Sequence, residues 1–158
     1  MQTLISCVGD TDPIRNFHDG PLLHIARVLK PEKIILIHSE RSKKKHEYIS
    51  LALQSIPNYS PTIVEENTVL ANNEVFLFDR MYEVLSGIIK KYTQTEETLL
   101  LNLTSATPQI ISAMFSINRI NDLKVRAFQV TTPVCDSNEG ILHDKQEDLQ
   151  LLIDTNED

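Results

Sequence analysis

The chain has no tryptophan, four glycines and two cysteines in 158 residues, and each scarcity excludes something. Cys7 and Cys135 have no paired spacing, so neither a disulfide framework nor a thiolate metal site is expected. The glycines form neither G-x-x-x-x-G-K-[ST] nor G-x-G-x-x-G, which removes support for ATPase and dinucleotide oxidoreductase readings. No apolar run approaches the roughly 20 residues that span a bilayer. The opening MQTLISCVGD lacks the positive flank and small-residue cleavage site of a signal peptide. A cytoplasmic protein without membrane contact is the expectation. The five histidines (18, 24, 38, 46 and 143) show no recognised metal-ligand spacing. No metal, no cofactor and no Ser-His-Asp constellation is therefore expected.

What is present fits one ordinary domain, long enough to bury a core unaided. A composition of 41% hydrophobic and 23% charged residues is that of a globular protein. The net charge of −7 resides entirely in the last stretch. From Pro133 onward eight acidic residues face one lysine, while the preceding 14 acidic and 14 basic residues balance. A neutral body with an acidic tail argues against binding long nucleic acid, and leaves room for a small anion held by local geometry.

Short apolar runs alternate with helical periods. Strands are expected at 3–8, 33–39, 62–65, 98–103 and 125–130, and helices at 19–29, 43–56, 74–92 and 110–120. The runs KIILIHS and TLLLNL are near-continuously apolar, as in strands covered on both faces. This β-α-β-α-β-α-β-α-β order predicts a Rossmann-like, mostly parallel sheet with helices on both faces and right-handed crossovers. Residues 1–133 form the expected domain. Residues 134–158 are an acidic tail, in which Asp144 and Glu147 resemble a capping box for one last helix.

Ligands of open parallel sheets bind beyond the carboxyl ends of the strands, and two loops there are rich in polar groups. In the first, Gly9 permits a tight turn, Asp12 or Thr11 can bond ribose hydroxyls or backbone N–H groups, and an inward-pointing Arg15 would meet a phosphate. The same stretch also reads as an ordinary turn with Asp19 as helix N-cap. His24, on an apolar helix face, reads as a packed histidine. The second loop runs Asn102-Leu103-Thr104-Ser105-Ala106-Thr107-Pro108-Gln109 into a helix with proline near its first position. A helix N-terminus favours an anion, and three hydroxyls, an Asn and a Gln exceed what one cap requires. Thr107 as a plain cap is the competing account. Arg41 to His46 matches the R-x4-H pattern of HEPN ribonucleases, but that motif belongs to an all-helical domain. Here it reads as a solvated basic helix face.

The two loops together resemble a known family. G-D-T-D-P-I-R-N, then D-G-P-L-L-H-I-A-R and K-P-E-K-I-I-L, look like the opening of the CARF domain of type III-A CRISPR ancillary ribonucleases. N-L-T-S-A-T-P-Q and F-Q-V-T-T-P resemble its second signature, and the likeness runs over residues 4–133. It implies a homodimer holding a cyclic oligoadenylate second messenger across its two-fold axis, hexa-adenylate favoured over tetra-adenylate. By position the binding residues would be Gly9, Asp12, Arg15, Asn102, Thr104, Ser105, Thr107 and Gln109. Two departures stand out: Ala106 occupies a position where the family usually has glycine, and the chain ends in an acidic tail where family members continue into a HEPN domain. It is accordingly either a stand-alone sensor or the amino-terminal piece of a CARF–HEPN protein.

Two outputs are open. One is a metal-independent ring nuclease, in which a ribose 2′-hydroxyl attacks the adjacent phosphorus and Thr104, Ser105 and Thr107 stabilise the phosphoryl oxygens. The other is a non-catalytic sensor or sponge acting through a separate effector.

Overall fold

A computed structural model of the chain describes residues 2–15, 18–95, 98–120 and 125–130. Five strands, β1 (Gln2–Cys7), β4 (Lys33–Ile37), β5 (Thr62–Glu65), β6 (Thr98–Asn102) and β7 (Val125–Phe128), form a wholly parallel sheet in the order β5-β4-β1-β6-β7. The apolar runs read as doubly covered are so. Within β1, Leu4 joins the core on one face while Ile5 and Cys7 join the core on the other. Helices α1 (Pro21–Leu29) and α2 (His46–Gln54) close one face through Leu22, Ile25, Ile49 and Leu53. Helices α3 (Phe78–Thr93) and α4 (Pro108–Ile120) close the other through Met81, Leu85, Ile89, Met114 and Ile117. Each such side chain, fully buried, contributes about 1.5–3 kcal/mol relative to exposure. The expected Rossmann-like architecture is thus the observed one.

Four local features differ from the sequence expectation, each for a physical reason. The loop after β1 contains a two-residue hairpin, β2 (Ile14–Arg15) against β3 (His18–Asp19), too short to leave a periodic signal. Residues 42–45 form a 3-10 turn before α2, where the Ser39 and Ser42 N–H groups each donate to the other's hydroxyl, at 3.0 and 3.1 Å, and so fix the turn. Helix α3 begins at Phe78 rather than 74, since Glu74 to Leu77 close as a turn. Asp19 does not cap α1; it pairs with Arg27 at 2.8 Å. The cap comes instead from Asp12, whose Oδ1 accepts the Leu22 N–H at 3.0 Å. At its other end α1 stops at Lys30, which has φ of 46° and returns its N–H to the Ala26 carbonyl at 2.9 Å. The suggested tail helix and the domain boundary at 133 lie outside the described residues.

Candidate functional site

The strand order reverses direction around β1, which sits between β4 and β6. The loops leaving β1 and β6 therefore meet at the carboxyl edge of the sheet. Their contact is backbone to backbone: a Cβ on Gly9 would lie 2.5 Å from the Ala106 nitrogen. Ala106 itself has φ of 90°, in the region that favours glycine, and it is the position where the family resemblance leads one to expect glycine.

Asp12 organises the first loop. It is 2% exposed, and its Oδ2 accepts the Gly9 N–H at 2.9 Å while Oδ1 caps α1. Burial raises its carboxyl above the ordinary range; the Ser105 hydroxyl, the Gly9 and Leu22 amides and the Lys45 charge pull it back. Lys45 Nζ reaches the carbonyls of Gly9 at 2.8 Å and Asp12 at 2.6 Å. Asn102 does the same for the second loop. Fully buried, it donates to Ser6 Oγ at 3.0 Å and Ser105 Oγ at 2.7 Å, and accepts the Thr104 N–H at 2.9 Å.

The hydroxyls divide into two kinds. Ser105 is 2% exposed and bonds Asp12. Thr107 donates to the Val75 carbonyl at 2.6 Å and accepts the Ile110 N–H at 3.2 Å, so it is the cap of α4. Thr104 Oγ1 accepts the Val130 N–H at 2.8 Å, an arrangement that leaves the hydroxyl proton to be given elsewhere. Gln109 has its Oε1 buried without a hydrogen-bond partner. Arg15 lies in β2 opposite His18, and its side chain falls outside what is described.

Above these loops opens a cleft of about 850 Å³, within the range of small-molecule sites. Of the residues anticipated from sequence, Gly9, Thr11, Thr104 and Thr107 line it; Asp12, Asn102, Ser105 and Gln109 stand outside its lining. Cys7, Ile37, Leu70, Val75 and Ile110 also line it. Burial, together with the charge of Asp12, pushes the Cys7 thiol up to about 12, which removes it as a nucleophile. The sequence reading missed Ser39, Arg41 and Lys44 after β4, and Asn72 and Phe76 in the connection after β5. The signal was available, since each follows a strand's carboxyl end. The basic run has the pattern of a solvated helix face. Arg41 is indeed 75% exposed and meets Asp10 at 3.0 Å, but it borders the cleft. Phe76 is 65% exposed at the same place.

A parallel α/β sheet with a polar-rimmed cleft at the turning point of its strand order defines a Rossmann-like domain, and that edge is where open sheets of this kind bind ligands. The family model described as the Cas_Csm6 CARF domain matches residues 62–158, and the chain belongs to that family. It is 52% identical over its whole length to a CRISPR system endoribonuclease Csm6′ of Streptococcus thermophilus and 48% identical to a Csm6 of the same organism. It covers 41% and 37% of those proteins, and so spans about two fifths of the length of the curated relatives it matches. Among solved structures, Enterococcus italicus Csm6 bound to cyclic hexa-2′-fluoro-hexa-dAMP superimposes with a TM-score of 0.70 at 26% identity, over 93% of this chain and 37% of that one. Can2 from Sulfobacillus thermosulfidooxidans, in complex with cyclic tetra-adenylate, shares the fold at 17% identity and TM-score 0.59, over 82% of this chain and 30% of that one. Among the described residues no helix is long and apolar enough to cross a membrane.

Proposed function

We propose that the cleft binds a cyclic oligoadenylate of type III CRISPR signalling, hexa-adenylate in preference to tetra-adenylate, in a homodimer whose two clefts face one ring. The observation that carries this reading is the position of the cleft. It lies at the turning point of the sheet, walled by the Gly9 and Thr104–Thr107 loops, in a chain of the Csm6 CARF family. A symmetric ring matches an isologous two-fold interface, so a second copy supplies the other half of its contacts. Arg41 and Lys44 offer cations to phosphates, and the Arg41–Asp10 pair is exposed enough for a phosphate to displace it. Phe76 offers an exposed ring on which an adenine can stack.

The catalytic form of the proposal is slow, metal-independent ring cleavage. The 2′-hydroxyl attacks the neighbouring phosphorus, the P–O5′ bond breaks, and the products end in a 2′,3′-cyclic phosphate and a 5′-hydroxyl. Thr104 is the first candidate to donate to the phosphoryl oxygens, because its proton is not already given to Asp12 or Val75. A second reading is favoured by the engagement of Ser105 and Thr107: with those hydroxyls held by the protein, the cleft binds the ring without cutting it. It then acts as the sensor of a longer endoribonuclease or of a separate effector.

Incubation of the protein with cyclic tetra- and hexa-adenylate in EDTA, followed by product separation, tests both. Linear product with the stated termini, lost in Thr104→Ala while binding persists, supports cleavage. Intact ring held in tight complex supports the sensor. Neither binding nor cleavage overturns both.

A further inference from the structure

Outside the cleft, side chains from three elements converge. His38 follows β4, His46 opens α2 and Glu65 ends β5, and one ligand atom from each lies within 4.8 Å of the others. His46 Nε2 is 3.5 Å from Glu65 Oε2, His38 Nε2 is 4.0 Å from Glu65 Oε1, and the imidazoles meet edge to face at 5.7 Å between centroids. None of the three lines the cleft. The linear spacing of the histidines did not announce this cluster, because the carboxylate is contributed by a neighbouring strand.

The protonation of His38 follows from its partner. Its Nδ1 lies 3.0 Å from Ser42 Oγ. That hydroxyl accepts the Ser39 N–H at 3.0 Å and lies 3.4 Å from the Ser39 carbonyl; with its proton turned to that carbonyl, it offers His38 a lone pair. In that tautomer His38 carries its proton on Nδ1 and presents a bare Nε2, as ligation requires. The side chain is 1% exposed, and Nε2 has no hydrogen-bond partner. A buried lone pair facing a carboxylate oxygen is two acceptors opposed, an arrangement completed by a cation between them.

We infer that His38, His46 and Glu65 form a site for a divalent transition-metal ion of the zinc class, with Ser42 fixing the tautomer of His38. Two imidazoles and one carboxylate suit zinc, and an outer-sphere partner on the second ring nitrogen is the usual companion of a ligating histidine. Magnesium and calcium, which require mostly oxygen ligands, do not suit it. Ligands about 2.0–2.1 Å from a tetrahedral ion lie about 3.3–3.4 Å from each other. The His46–Glu65 pair, at 3.5 Å, already has nearly that spacing, and the remaining separations, all within 4.8 Å, close by up to about 1.4 Å. With His46 and Glu65 about one-third exposed, a fourth position opens to solvent. An ion here would pin the 39–45 turn, which carries Arg41 and Lys44 to the cleft and Lys45 to the Gly9 and Asp12 carbonyls.

The test is titration of the whole chain with Zn²⁺ alone by calorimetry, and with Co²⁺ by visible absorption, near neutral pH. One Zn²⁺ per chain is expected. So is a tetrahedral Co²⁺ band that Zn²⁺ bleaches, with affinity at least tenfold weaker in His46→Ala and Glu65→Gln, both at partly exposed positions. His46→Gln replaces the alanine variant if circular dichroism shows loss of fold. A wild-type chain that gives no saturable binding and no Co²⁺ band overturns the inference. Binding unchanged in the variants overturns it too, by placing the ion on other groups.

Discussion

Gly9 and Ala106 are in backbone contact across the two loops that bound the cleft, at a separation that leaves no room for a side chain on Gly9. The neighbouring atom is a main-chain nitrogen, not the end of a flexible side chain, so a methyl group forces the loops apart. Gly9→Ala should destabilise the fold by about 1–3 kcal/mol, the range of overpacking in a well-packed site. It should also widen the mouth of the cleft. Chemical denaturation of variant and wild type measures the first effect; equal stability would show that the loops separate freely and that this contact does not shape the site.

The partner residue carries the opposite expectation. Ala106 sits at φ of 90°, where an L-residue is strained by about 1–2 kcal/mol. Ala106→Gly relieves that strain, set against about 0.5–1 kcal/mol of extra chain entropy lost on folding. A net gain of up to about 1.5 kcal/mol is expected, seen as a raised midpoint of thermal unfolding. A lowered midpoint would contradict the strained geometry.

The sheet was legible in the sequence because doubly buried strands leave continuous apolar runs, and KIILIHS and TLLLNL have no other comfortable use. The two loops were legible for a different reason: turn formers and hydroxyls crowd immediately after those runs. What was not legible is the division of labour within them. Asp12 and Asn102 have the chemistry of ligand-binding residues, and nothing local distinguishes a carboxylate facing a ribose from one facing its own amides. Only the fold brings the Leu22 amide to Asp12 and the Ser6 hydroxyl to Asn102. Arg41 and Lys44 escaped for the converse reason, since a basic run at a helix start has the pattern of a solvated face wherever the fold turns it. The His38–His46–Glu65 cluster depends on pairing between β4 and β5, which no linear spacing encodes.

Asp12 gives a pH dependence with a definite sign. Its folded-state carboxyl is raised, chiefly by burial, so the folded chain holds this proton more tightly than the unfolded chain does. Its contribution to stability is fully present below the ordinary value of 3.8. It is lost as pH climbs from there through the raised folded value. Glu66 acts in the reverse sense. Burial pushes it up, but bonds from Lys91 and Tyr92 bring it below the usual range, so only a difference measurement isolates Asp12. Asp12→Asn removes the titration and leaves one of two backbone amides facing a side-chain N–H₂ group, a loss of about 1–3 kcal/mol. The wild-type-minus-variant stability should fall as pH rises through that window. A difference that is flat with pH would refute the assignment.

Phe76 provides the sharpest separation between a cleft that reads bases and one that reads only charge. Its ring is 65% exposed and borders the cleft, and exposure makes it dispensable for the core. Stacking of one base on an aromatic ring is worth about 1–3 kcal/mol. Phe76→Ala should therefore weaken cyclic hexa-adenylate binding by about 5- to 150-fold at constant salt, with thermal stability unchanged. Lys44→Ala should instead reduce affinity by an amount that shrinks as salt is raised, because its contribution is to phosphate. The two variants are compared by calorimetric titration at two salt concentrations. A salt-dependent loss in Lys44→Ala with no loss in Phe76→Ala would mean that the cleft holds the ring by its phosphates, and that the adenines point elsewhere.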